Sequence, residues 1–358
     1  LTSYNNNLTT YLVETRASRG IYKYNGKYYA FNLTVAHEGT ADLFPEWEVN
    51  TYTVYLNFDE LGTKDAETLG TFTYEDESGT TDEVILPAFS TDDPRFTGWV
   101  NEGYDFLNWY YYVGEERVTL NIGQPYEKLT AENDDKVNVY INWTAGLVDF
   151  SIILLYQLVD GTSYDTALGS TDNYFTITSD SYSDLIDSDE EVELKLETGT
   201  QVTPQYIFDT YINSKMSTKE GFTFDTTNTA NTTYVTIGSD GNTDIKLYFS
   251  RNRYDLYVVA STGIASAGIV TEGTTHTPIG TTAGTARYSV LHGATVNLTA
   301  TERTGYQNIT FTSSDVTIST DTFTMPTTAV TVTASATAMT NINYYIDVFL
   351  ADETNSFG

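Results

Sequence analysis

The chain has 358 residues, with 49 acidic against 17 basic side chains and a formal net charge of −32. That balance excludes nucleic acid and other polyanions as partners, because phosphate backbones are met with Lys and Arg. With 18% charged, 40% hydrophobic and 14% aromatic residues it is no disordered acidic tail, and the absence of cysteine excludes disulfides, thiolate metal sites and a cysteine nucleophile. No stretch approaches the roughly 20 apolar residues that span a bilayer. Nothing at the start reads as a basic-then-apolar signal, and the first residue, Leu1, implies a processed or partial chain.

Residues 1–49 stand apart as a small N-terminal β module. In Gly20-Ile-Tyr-Lys-Tyr-Asn-Gly-Lys-Tyr-Tyr-Ala-Phe the pair Asn25-Gly26 between Tyr-rich runs is a two-residue hairpin signal, and the module closes on Phe44-Pro-Glu-Trp-Glu-Val. From Asn50 onward one phrase recurs with a period of about 90–105 residues, a domain-sized spacing. It comprises an opening strand, an interior Gly-aromatic mark and a β-rich closing strand.

Residues 50–145 hold the first copy: the alternating strand Thr51 to Phe58, a helical turn at Asp92-Asp-Pro-Arg-Phe with Asp as cap, Gly103-Tyr-Asp-Phe, and the closing Val137-Asn-Val-Tyr-Ile-Asn-Trp. Residues 146–251 hold the second. Phe150 to Val159 is an apolar strand that turns at Asp160-Gly161, Glu191 to Leu196 alternates as another strand, and Asp180 to Glu191 reads as an exposed acidic insertion. The short helix expected here starts at Thr203 as cap and Pro204 at its first position, with Ile207, Tyr211 and either Ile212 or Met216 on one face. Gly221-Phe-Thr-Phe and Asp244-Ile-Lys-Leu-Tyr-Phe complete that copy. Residues 252–338 hold the third, opening at Arg253-Tyr-Asp-Leu and marked by Gly305-Tyr. Residues 339–358 begin a fourth with the alternating segment Asn341 to Asp352. The fold class is therefore mainly β: tandem β-rich, β-grasp-like domains, one short helix in the second, behind a small hairpin module.

Four stretches resemble known families. Gly103-Tyr-Asp-Phe-Leu-Asn-Trp-Tyr and the closing strand ending in Trp143 resemble the internalin B-repeat, or Listeria-Bacteroides repeat, with a middle longer than is usual there. Gly293-Ala-Thr-Val-Asn-Leu-Thr-Ala, Gly305-Tyr and Phe323-Thr-Met-Pro followed by Val330-Thr-Val-Thr-Ala are similar to the divergent form of that repeat, with Phe311 where Trp is common. The second copy's outline resembles the mucin-binding-like β-grasp surface domains. Gly20 to Val49 resembles carbohydrate-binding modules of the chitin-binding 5/12 type, whose exposed aromatics stack on sugar rings; by position these would be Tyr22, Tyr28, Tyr29 and Trp47, which could equally form the core of a miniature domain.

Chemistry is sparse. His37, His276 and His292 show no i, i+4 spacing and read as turn or surface residues, and neither a phosphate loop nor a Gly-x-Ser-x-Gly elbow occurs, so no enzyme is expected. Clustered oxygen ligands at Asp240, Asn242 and Asp244, with similar groups at Asn133–Asp135 and Asp187–Glu191, read as solvated turns or as a structural Ca²⁺ site, the one cofactor considered. Six Asn-x-Thr sequons fall at Asn7, Asn32, Asn142, Asn231, Asn297 and Asn308.

The expectation is a non-enzymatic extracellular structural or adhesive protein, part of a bacterial surface adhesin, filament or surface layer. The alternatives are a phage virion component, either head decoration or tail fibre, and a carbohydrate-binding protein. The expected partners are identical subunits, through the strand at 341–352, and a glycan or host surface.

Overall fold

The computed structural model describes residues 21–24, 27–30, 46–47, 49–76, 78–165, 173–186 and 193–340; at 21–47 the main chain alone is described. The chain divides into two compact units, 1–146 and 147–358. The unfinished fourth opening, Asn341 to Asp352, lies outside the described residues.

The first unit begins with a three-stranded sheet in the order Ile21–Tyr24, Lys27–Ala30, Glu46–Trp47. Its first two strands are antiparallel and flank the Asn25-Gly26 position of the expected turn. The first repeat is a five-stranded sheet in the order Glu67–Glu75, Asn50–Asn57, Asp135–Ala145, Tyr104–Val113, Glu116–Leu120. Along the opening strand Tyr52, Val54 and Leu56 are buried and their neighbours are not, the period of two that puts one face on a core. That core is aromatic: Phe96 and Trp109 are fully buried, and Phe89 packs against Phe96, Phe106 and Trp143. Trp109 keeps its indole N–H satisfied by donating to Pro87 O at 2.8 Å. The expected helical turn is a 3₁₀ turn, Pro94–Phe96, with the Asp93 carboxylate accepting from the Arg95 N–H.

The second unit holds the other two repeats. In the second, the sheet order is Tyr174–Ile177, Leu147–Tyr156, Thr243–Arg251, Phe222–Phe224, and Lys195–Glu197 also pairs with the start of the opening strand. Where a strand is expected over Glu191 to Leu196, the described residues place one at Lys195–Glu197. Ile152, Ile153, Leu154 and Leu155 are all buried, so this opening strand is covered on both faces, as its continuous apolar run requires. The helix begins as expected: Thr203 Oγ1 accepts from the Tyr206 N–H, Pro204 occupies the first turn, and after Ile207 the coil widens into a π-helical turn, Phe208–Ile212. Ile207, Tyr211 and Ile212 are buried, and Met216 packs partly buried beside them.

One expectation is overturned here. The acidic stretch from Asp180 contains a helix, Ser179–Leu185, opened by a capping box between Thr178 and Ser181. Tyr182 is its anchor, fully buried and donating its hydroxyl to Tyr211 O at 2.7 Å. The repeat therefore contains two short helices. Tyr182 and Leu185 are the two apolar residues of this seven-residue helix, too short a run for an apolar period to stand out.

The third repeat is a sandwich. A five-stranded sheet, Gly280–Thr282, Thr285–Leu291, Arg253–Ala260, Val330–Ala338, Tyr306–Thr312, packs on a four-stranded one, Thr274–Thr275, Ile264–Thr271, Thr295–Glu302, Thr322–Thr324. Val258, Tyr288 and Val332 from the first meet Ile269, Val296 and Phe323 from the second in one core, against which Phe311 is partly buried.

All three repeats share one frame. The opening strand pairs in parallel with the closing strand, and the closing strand pairs antiparallel with the strand that follows the Gly-aromatic mark. The glycines at those marks, Gly103, Gly221 and Gly305, sit at φ of 73°, 82° and 86°, a left-handed conformation that a side chain strains. Each turns its carbonyl to the residue just past the closing strand: Gly146 N–H donates to Gly103 O at 2.9 Å, Asn252 N–H to Gly221 O at 2.9 Å, and Met339 N–H to Gly305 O at 2.8 Å. The recurring glycine is thus the residue that terminates each repeat.

Asn231 is the one fully buried polar side chain among the described residues. Its amide Nδ2 donates to Asp225 O and Tyr248 O at 2.8 and 2.9 Å, and Oδ1 accepts from the Tyr248 N–H at 3.0 Å. The sequon at this position is therefore a structural clamp and not a glycan acceptor. Asn231→Ala should take their side-chain partner from the Tyr248 N–H and the Asp225 carbonyl and lower stability by about 3 kcal/mol, measured by urea unfolding; an unchanged midpoint would contradict the clamp.

Candidate binding surfaces

The aromatics singled out in the N-terminal module fall on its three paired strands. Tyr22 stands opposite Tyr29 and Tyr29 opposite Trp47, one register row across the sheet, while Tyr28 stands opposite Lys23 one position along.

In the first repeat the sheet face turned away from the core carries an array that sequence reasoning missed. The Glu60 carboxylate accepts from the hydroxyls of Tyr110 and Tyr112, both at 2.7 Å. The Arg117 guanidinium lies 3.5 Å over the Tyr110 ring and donates to Asn142 Oδ1 at 2.6 Å, and Asn142 in turn donates to Asn108 Oδ1 at 3.0 Å. Tyr140 packs against Tyr110 and Tyr112. The run Trp109-Tyr-Tyr-Tyr was the available signal: alternation along a strand sends Tyr110 and Tyr112 to the face opposite Trp109. The donated phenol bonds, that of Tyr112 first, hold the Glu60 carboxyl below its ordinary range, and burial together with the Glu60 bond pushes the Tyr110 phenol above its own.

Of the oxygen ligands at Asp240, Asn242 and Asp244, Asp240 Oδ1 accepts from the Asn242 N–H at 3.1 Å, forming the turn that leads into the closing strand, where Asp244 stands opposite Ser151. Among the described residues no three His, Cys, Asp or Glu side chains gather where a metal ion could be held. His276 bonds through Nε2 with Thr271 Oγ1.

His292 lies half-buried in the turn that follows Thr285–Leu291. It is part of the joint between the second and third repeats. Its ring stands edge-on to Phe222 and Tyr254, and a Cβ on Gly221 would come within 2.1 Å of it. Arg251 fastens the same joint, donating from Nε to Gln157 O at 3.0 Å and from Nη1 to His292 O at 2.9 Å while its guanidinium lies 4.6 Å over Phe222. Thr327 donates across to Glu220 at 2.7 Å. One residue, Asn252, separates the closing strand of one repeat from the opening strand of the next.

Residues 270–339 match the family model of the divergent InlB B-repeat domain. Similar solved structures include the Bacillus anthracis TIE protein, at 10% identity and a TM-score of 0.30 over 87% of this chain and 59% of that one. They also include the major pilin T-13 of Streptococcus pyogenes, at 10% identity and a TM-score of 0.21 over 55% and 98% of the two chains. The minor pilin GBS52 of Streptococcus agalactiae follows, at 11% identity and a TM-score of 0.19 over 56% and 100%. The chain thus spans about three-fifths of the length of the TIE protein. No curated protein sequence matches it.

Replacing Glu60 with Gln should lower the titration midpoints of Tyr110 and Tyr112, read by NMR of ¹³C-tyrosine. The raised Tyr110 value gives stability that is full below the unfolded phenol pKa, near ~10, and is lost as pH rises through the folded value. The depressed Glu60 value gives stability that is full above the unfolded carboxyl pKa, near ~4.3, and is lost as pH falls through the folded value. Unmoved tyrosine midpoints in the variant would refute the bonded array.

Proposed function

We propose that this chain is a non-enzymatic structural or adhesive component of a bacterial surface, built to hold a binding end away from its attachment and to associate with copies of itself. The observation that carries this reading is the frame repeated three times, each copy ended by a glycine carbonyl and the first two followed by the next opening strand after one residue, Gly146 or Asn252. The divergent InlB B-repeat match at 270–339 and the resemblance of the first repeat to the same group support a surface setting. Among the described residues no helix is long and apolar enough to cross a membrane. Immunogold labelling of intact producing cells should decorate the exterior; labelling that appears after permeabilisation alone would refute the surface assignment.

The N-terminal module is proposed as the sugar-binding end, since Tyr22, Tyr29 and Trp47 share one register row. On a glycan array the intact chain should bind a defined set of saccharides, and the double variant Tyr29→Ala, Trp47→Ala should lose that binding. Equal binding by both would remove these residues from the site.

A further inference from the structure

The first half of every closing strand pairs with its opening strand along one edge, and the ladder to the glycine strand covers the second half of the other edge. The remaining stretch of that other edge needs a different partner. In the second repeat it is met by the Asn231 amide and the Asp225 N–H, both on Tyr248. In the third, Ser313 Oγ donates to Thr331 O at 2.7 Å and Asp315 Oδ2 accepts from the Thr331 N–H at 2.8 Å.

Among the described residues the first repeat shows no such clamp. There the ladder to the glycine strand stops at Tyr140 opposite Tyr110, while the glycine strand runs on to Val113 in company with Glu116–Leu120. A groove of about 530 Å³ opens between them, lined in part by Tyr111, Tyr112, Lys128, Thr130, Lys136 and Asn138. Asn57 Nδ2 donates to Val139 O from the opening-strand side, so alternation along the strand turns the Asn138 N–H and carbonyl toward the groove. Asp135 Oδ1 accepts from the Lys136 N–H, but no side chain among the described residues bonds the main chain of Asn138.

We propose that this groove accepts an extended strand, residues 341–352 of a second copy of the chain. The inference rests on the self-association reading above and names its acceptor. An unpaired N–H and carbonyl pair at the end of a ladder is a template for one more strand. The segment Asn341-Ile-Asn-Tyr-Tyr-Ile-Asp-Val-Phe-Leu-Ala-Asp contains neither Pro nor Gly and alternates like the opening strands, the class of strand that lies along a closing strand in all three repeats. Lys136, exposed at the groove among Glu132 and Asp135 and placed over the Tyr55 ring, offers a countercharge to one of its carboxylates, Asp347 or Asp352.

The test is a titration of a fluorescent peptide of sequence 341–352 into the full chain. Saturable binding is expected, with slowed amide exchange at Asn138. N-methylation of one set of alternate peptide nitrogens should weaken binding by about tenfold or more, and methylation of the other set should leave it unchanged. Light scattering of the full chain should show mass rising with concentration and returning to monomer in excess peptide. Absence of binding, equal loss from both methylated peptides, or exchange protection elsewhere would overturn the groove as acceptor. A constant monomer mass would overturn the second copy as donor. Neither result depends on whether cells display the protein.

Discussion

Parallel strands cannot be joined by a turn, so pairing the first strand of each repeat in parallel with its last forces everything between them to cross over and return. The segment from Val84 to Trp99 in the first repeat, the helices of the second and the second sheet of the third are three ways of making that crossover while covering one face of the same pair. Because the pair is fixed, the chain leaves each repeat at a fixed place, and a left-handed glycine there supplies the carbonyl that ends the strand.

The three cores fill this frame differently. The first relies on stacked and edge-on aromatics around Phe89, Phe96 and Trp109, the second on an opening strand buried on both faces, and the third on small branched residues between two sheets. A frame held by main-chain pairing tolerates such variation, since side chains need only match volume and apolarity. The joint between the second and third repeats is more demanding: Arg251 is wedged against Phe222 and tied to two carbonyls, and Gly221 leaves room for the His292 ring.

What the sequence disclosed follows from how local each signal is. The opening and closing strands alternate within a few residues, so Asn50–Asn57 and Asp135–Ala145 were legible, as was the cap at Thr203. The helix at Ser179–Leu185 was not, because it is two turns long and its apolar residues, Tyr182 and Leu185, make one i, i+3 step, nor was Asn231, whose sequon disguised a residue defined by main-chain groups far along the chain. The Glu60 array and the groove beside Asn138 arise where strands distant in sequence meet or part, which no periodicity encodes. The register row of Tyr22, Tyr29 and Trp47 matches the hairpin that Asn25-Gly26 announced.

The parallel ladder also fixes how a repeat carries load. Tension enters at the start of the opening strand and leaves at the end of the closing strand, and these two strands are neighbours running in the same direction. Pulling therefore slides one along the other and strains their hydrogen bonds together, whereas a hairpin pulled at its open end would unzip one bond at a time. Each repeat resists extension in shear, with its parallel ladder laid along the line of force.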